Sequence, residues 1–194
     1  MNRDDAKAEW KRATETLGAA TTLVANGYNN DAVSRSYYAM LHAAKASLAT
    51  KDIEADSHRG VAAMFGKHLV KTGEVDAEHG RNLRRADAAR QDADYQARLE
   101  FTSDQTRREC ERARDFLTKV REHLKRSGLR EDELAEIPAL PGGRTPAQAM
   151  TESPDRTNRR TVRIGDQATE PARAPDPAGT PTSRRRTSDD WSRD

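Results

Sequence analysis

Apolar residues recur at steps of three and four along the first 130 positions, which is the spacing of one face of an α-helix. The first such stripe, within about residues 4–26, consists of Trp10, Ala13, Leu17, Ala20 and Val24. Similar segments follow at about 30–49, 57–72, 77–99 and 103–127. No alternating strand pattern occurs between them. The pattern therefore predicts an all-α fold, a four- to five-helix up-and-down bundle.

Residues that favour helix ends lie between these segments. The expected stops are Gly27, Gly73 and Gly128, since glycine reaches the left-handed conformation without a Cβ clash. The expected N-caps are Asn30, Ser57 and Ser103. These signals predict short connections between the helices.

Proline divides the chain, because all eight prolines lie at or after Pro138. Proline removes an amide donor and clashes with the preceding turn, so its absence suits long helices. The later sequence has almost no large apolar side chains, and Trp191 is its only aromatic residue. We predict a helical domain over residues 1–130 and a disordered proline- and arginine-rich tail over residues 131–194.

The charge balance gives little support to a broad nucleic-acid-binding face. Residues 1–137 contain 24 basic and 24 acidic side chains, and ten arginines with eight acids follow. A local basic patch remains compatible with this balance. With Cys110 as the single cysteine, no intramolecular disulfide can form. No apolar run is long enough to span a bilayer, so we expect a cytoplasmic protein without membrane contact.

The second helical segment is apolar on more than one side. Arg35, Tyr38, Ala39, His42 and Ala46 form its second face, opposite the main apolar stripe. Arg35 and His42 lie two turns apart, so a phosphate could meet a guanidinium and an imidazole together. The alternative is that these groups only satisfy hydrogen bonds in a buried or dimer interface.

The fourth segment places Arg90 in a stripe of small residues. Asp87 and Asp94 lie three positions before and four positions after it, so both can pair with it on one helix. Two roles stay open for Arg90: a structural salt bridge, or a phosphate contact through its remaining nitrogen atoms.

Signals for metal or nucleotide-hydrolase chemistry are missing from the sequence. The spacing of the histidines fits no zinc motif, and there is no glycine-rich phosphate loop and no nucleophile elbow. We expect neither a metal nor a cofactor.

Three segments in order, RSYYAMLHAAKASL, SHRGVAAMFGKHLV and ARQDADY, resemble a prokaryotic, HepT-like branch of the HEPN superfamily. The resemblance runs from about Trp10 to Leu124. It implies a dimeric helical bundle, often encoded beside a minimal nucleotidyltransferase, that acts in toxin–antitoxin or RNA-processing systems. Many members are metal-independent RNases whose arginine is followed, after four to six residues, by a histidine.

The chain departs from that motif, because Tyr95 stands five positions after Arg90 where a histidine is usual. The pair with a comparable spacing is Arg35 and His42. The resemblance then implies nucleotide or RNA-phosphate binding, with metal-independent RNA cleavage as a further expectation. Its catalytic candidates are His42, Arg90 and Arg35, and its binding candidates are Tyr38, Tyr95, Asp94 and Asp87. The competing hypothesis is a non-catalytic dimerisation or protein-interaction module.

Overall fold

The computed structural model describes residues 1–96 and 98–140, and these residues form a helical bundle without strands. The α-helices are α1 (Arg3–Ala25), α2 (Asn29–Ala49), α3 (His58–Phe65), α4 (Ala77–Tyr95) and α5 (Ser103–Arg126). A π-helical turn, Gly66–Val70, continues α3, and a 3-10 turn, Glu131–Glu133, follows α5. The predicted all-α fold of four to five helices is confirmed.

Side-chain hydrogen bonds cap the starts of α1, α3 and α5. Ser57 caps α3 as predicted, since its hydroxyl accepts from the amide of Gly60 at 3.0 Å. The prediction for α5 was off by one residue: Thr102 is the cap, and it forms a reciprocal capping box with Gln105. All three predicted glycine stops have positive φ, from 76° to 101°.

Asn30 does not cap α2, because the helix begins one residue earlier and Tyr28 occupies the cap position. Its side chain instead binds the connection between α4 and α5. The amide group donates to the carbonyl of Leu99 at 2.8 Å, and the side-chain oxygen accepts from the amide of Phe101 at 3.0 Å. This anchorage also explains why α4 ends at Tyr95 and not near Leu99 as predicted.

The centre of the bundle is α2, which packs against each of the other four α-helices. Fourteen of its 21 residues are buried. On the second face predicted for this helix, Ala39 and Ala46 are buried, Tyr38 and His42 are partly buried, and Arg35 is exposed. Ala39, Ala43 and Ala46 are completely buried, and their small side chains let neighbouring helices approach closely.

Large side chains fill the space around α2. Trp10, Phe65, Phe116 and Leu117 are fully buried in one cluster. A smaller cluster of Val33, Ala89 and Phe101 holds the end of α4 against the start of α2. Burial of this kind contributes about 1.5–3 kcal/mol for each large apolar side chain.

Residues 131–140, which the sequence analysis assigned to the tail, pack against α1. Leu134 is 4% exposed, and the indole N–H of Trp10 donates to the carbonyl of Ala135 at 2.9 Å. Glu133 pairs with Arg3 and Lys7, and the hydrogen bond from Arg3 is the main reason that its pKa is lowered to about 2. These residues therefore belong with the bundle. The predicted disorder of the later tail, including Trp191, concerns residues 141–194, which lie outside the described residues.

The helices are amphipathic, and none of those described is both long and apolar enough to cross a bilayer.

Candidate functional site

The side chain of Arg90 lies near the end of α4, 11% exposed, between two tyrosine rings. Its guanidinium carbon is 5.7 Å from the ring centre of Tyr37 and 5.7 Å from that of Tyr95. Contacts of this kind are favourable because the face of an aromatic ring is electronegative. Tyr37 is buried on α2, whereas Tyr95 is 77% exposed. Arg90 is thus held at the boundary between the core and the surface.

Two carboxylates on the same helix compensate the charge of Arg90, as the spacing predicts. Its Nη1 donates to Asp94 Oδ2 at 3.1 Å, and its Nε lies 3.6 Å from Asp87 Oδ1. The second distance is too long for a hydrogen bond. Asp94 also accepts from the hydroxyl of Ser34 on α2, so the pair is fixed across two helices.

Burial and these charges shift two pKa values. Burial alone lowers the pKa of Arg90, but Tyr95, Tyr38 and the carboxylates outweigh it, and the net shift is upward. The pKa of Tyr37 is raised, first by burial and then by the neighbouring carboxylate of Asp87. A charged guanidinium therefore lies beside a neutral phenol at ordinary pH.

An aromatic cluster adjoins this ion pair. The ring centres of Tyr37 and Tyr38 are 5.5 Å apart, and His58 lies 5.6 Å from Tyr37 and 5.7 Å from Tyr38. The exposed Arg35 places its guanidinium carbon 5.5 Å from the ring centre of Tyr38. The cluster connects α2 to the first residue of α3.

A cavity of about 630 Å³ opens between α2, α3 and α4, and we call it the Arg90 groove. Its lining includes Tyr37, His58, Arg59, Leu83, Arg84, Asp87, Arg90 and Gln91. Arg90 is balanced by aspartates, but neither Arg59 nor Arg84 pairs with a carboxylate within the described part of the chain. The groove therefore has an excess of positive charge.

Sequence reasoning missed His58, Arg59 and Arg84. One signal for Arg84 was available, because Arg84, Asp87 and Arg90 follow one another at steps of three and so share one face of α4. The other two residues come from α3, so no spacing within one helix relates them to Arg90. Their place in the groove depends on how α3 packs against α2.

His42 lies in a different cavity, of about 440 Å³, bordered by α1, α2 and the connection to α3. Its Nδ1 is 2.6 Å from Glu9 Oε2, and Lys45 lies 3.9 Å from the same carboxylate. The two cavities share no lining residue. The structure thus brings Arg90 together with Asp87, Asp94, Tyr95 and the tyrosines of α2, but it does not bring His42 to them.

Comparison with known proteins identifies the family to which this chain belongs. The model of the HEPN domain matches residues 6–127, and the chain belongs to the HEPN domain family. Among its relatives, "Putative toxin MJ0142" of Methanocaldococcus jannaschii is 35% identical over 114 residues, which is 59% of this chain and 78% of that protein.

Two further relatives extend the comparison. "Putative toxin MJ0605" of the same archaeon is 40% identical over 93 residues, covering 48% of this chain and 69% of that protein. A "UPF0332 protein" of Thermotoga maritima is 34% identical over 132 residues, covering 66% of this chain and the whole of that protein. The similarity to these relatives agrees with the family assignment.

Proposed function

We propose that this HEPN protein has a toxin-like role and binds the phosphates of RNA or of a nucleotide in the Arg90 groove. One observation carries the proposal: Arg59 and Arg84 line the groove without carboxylate partners among the described residues, beside a third, compensated arginine. Guanidinium groups form bidentate, charge-assisted hydrogen bonds with phosphate oxygens. Two uncompensated arginines on facing helices therefore provide anchors for an anion.

The aromatic residues near the groove can contact the base of a nucleotide. The exposed ring of Tyr95 offers a surface on which a base can stack, a contact worth about 1–3 kcal/mol in single-strand recognition. Tyr38 extends the aromatic surface from the groove toward Arg35. Unpaired RNA exposes its bases for such stacking, so a single-stranded segment fits the groove better than a duplex.

The enzymatic part of the proposal is metal-independent cleavage of RNA. Attack of a ribose 2′-hydroxyl on the neighbouring phosphate needs an acid–base group and a positive charge near the phosphate oxygens. The arginines of the groove supply the positive charge.

The cellular part of the proposal is supported by the names of two relatives, each of which is called a "Putative toxin". The partners that we propose are a second copy of the chain and a minimal nucleotidyltransferase that controls it. Light scattering of the purified chain, alone and mixed with such an enzyme, tests both partners.

Binding is tested by fluorescence anisotropy with a labelled, unstructured RNA at several salt concentrations. Arg59→Gln and Arg84→Gln should each weaken binding by about tenfold and lower the slope of log affinity against log salt by about one. Arg81→Gln is the matched control, because Arg81 is exposed on the same helix and does not line the groove. It should change affinity less than about twofold.

Two results would contradict the binding proposal. Equal weakening by the control and by the groove variants would indicate a nonspecific charge effect. Absence of RNA binding by the unmodified protein would leave the non-catalytic interaction module as the better explanation.

A further inference from the structure

His58 is the first residue of α3, directly after the cap residue Ser57. Its ring packs against Tyr37 and meets Tyr38 edge-on, with an interplanar angle of 83° for the second pair. These contacts fix the plane of the imidazole. Neither ring nitrogen has a hydrogen-bond partner among the described residues, so both are available for a hydrogen bond with a ligand.

The other histidines are placed differently. His42 is bound to Glu9 in the second cavity. His123 is 2% exposed, and burial lowers its pKa, while His79 is 8% exposed. His68 belongs to the π-helical turn. Within the described chain, His58 is the histidine that lines the groove with the arginines.

The imidazole and the three arginines line the same groove. His58 and Arg90 both lie within 6 Å of the ring centre of Tyr37, and Arg59 is the next residue along α3. An anion held by the arginines therefore lies in the same cavity as the imidazole. Catalytic hydrogen bonds are often formed only in the complex, so the open nitrogen atoms suit this role.

We propose that His58 is the general base for RNA cleavage in the Arg90 groove, an inference that rests on the proposed function. The neutral imidazole takes the proton of a ribose 2′-hydroxyl, and the 2′-oxygen forms a bond to the adjacent phosphorus. The bond from phosphorus to the 5′-oxygen breaks with its electron pair, and this oxygen takes a proton from water. The products are a 2′,3′-cyclic phosphate and a 5′-hydroxyl.

The arginines assist the same step. Arg84 and Arg90 stabilise the negative charge that develops on the non-bridging oxygens of the phosphate. The imidazolium then returns its proton to the solvent, so no other reactant is consumed.

The test uses the full chain with labelled single-stranded RNA of mixed sequence, and the same RNA with 2′-O-methyl groups as a ligand that cannot react. The unmodified protein should yield 2′,3′-cyclic phosphate ends. His58→Gln and His58→Ala should slow cleavage on the order of 10²- to 10⁴-fold. Binding of the methylated RNA should stay within about twofold.

Two further measurements separate proton transfer from a structural role. Added imidazole should restore cleavage to His58→Ala, and the acidic limb of the rate against pH should disappear in His58→Gln. His68→Gln serves as the control, since His68 lies outside the groove. Circular dichroism checks that each variant is folded.

The outcomes distinguish the two proposals. If the protein binds the methylated RNA but cleaves no RNA, or if the His58 variants cleave at the original rate, the assignment of His58 is overturned and phosphate binding stands. Loss of cleavage in His42→Gln alone would identify His42, and not His58, as the general base. If even the unmodified protein fails to bind, the proposed function itself is overturned.

Discussion

Arg90 is the most constrained charged side chain of the groove. Two carboxylates from its own helix and two aromatic rings surround it, and only 11% of the side chain is exposed. The two roles left open by the sequence therefore differ in what they require. A structural salt bridge uses the contacts already formed, while a phosphate contact uses the nitrogen atoms that remain.

The structural role of Arg90 predicts a cost in stability. Arg90→Met keeps much of the side-chain volume but leaves Asp87 and Asp94 without their cation. Both carboxylates are about one-third exposed, at 31% and 32%, so water screens part of the loss. We expect the free energy of unfolding to fall by about 1–3 kcal/mol in urea titrations. Arg81→Met, on the exposed face of α4, should change it by less than about 0.5 kcal/mol.

The buried His123 should make the free energy of unfolding depend on pH. Burial lowers the pKa of His123 below its ordinary value of about 6.5, while the nearby Glu74 opposes the shift. The unfolded chain therefore binds a proton in a range where the folded chain does not. This contribution to stability is present above about pH 6.5 and is lost as the pH falls through that value toward the folded pKa.

The measurement for His123 is the urea midpoint at about pH 7.5 and about pH 5.5. His123→Gln should reduce the drop in midpoint between these two conditions, because the proton uptake of that residue is removed. His68→Gln, at a partly exposed position, should leave the drop unchanged. An undiminished drop in the His123 variant would assign the pH dependence to other groups.

At the level of elements, periodicity predicted which segments are helical, because each helix buries apolar residues at steps of three and four. The exact ends of the helices were harder to predict. Thr102 and Ser103 have similar capping chemistry, and the reciprocal bond with Gln105 decides between them. Asn30 was expected to serve its own helix, but it binds the chain near Phe101, which is distant in sequence. Local propensity contains no information about such a partner.

In the groove, too, contacts within one helix could be predicted, whereas contacts between helices could not. The contacts of Arg90 with Asp87 and Asp94 follow from spacing on one helix, and the sequence predicted them. The neighbouring His58 and Arg59 belong to α3, which is separated from α4 by the π-helical turn and a loop. Which helix faces which depends on the packing of α2 against its neighbours, so these residues could not be assigned from spacing.

For the whole molecule, the ordered chain continues past the last α-helix. Leu129 and Leu134 are 3% and 4% exposed, and Ala135 accepts the indole N–H of Trp10. Residues 129–140 therefore cover the side of α1 that would otherwise be open to water. The domain boundary predicted at residue 130 therefore follows the end of α5 but does not mark the end of the packed chain.

This coverage predicts the effect of shortening the chain. A chain that ends at residue 128 should lose about 3–6 kcal/mol of unfolding free energy relative to one that ends at residue 140, since two buried leucines contribute about 1.5–3 kcal/mol each. Urea denaturation followed by circular dichroism measures the difference. Equal stability of the two chains would mean that residues 129–140 contribute little to the core.

The buried alanines of α2 limit which positions of the bundle can be substituted. At Ala39, Ala43 and Ala46 a larger side chain would push neighbouring helices apart, so the requirement at these positions is one of volume. Arg59 and Arg84, by contrast, lie outside that tightly packed layer and can be exchanged without disturbing it. The phosphate site that we propose can therefore be removed by substitutions at Arg59 and Arg84, while the packing of the central helix stays the same.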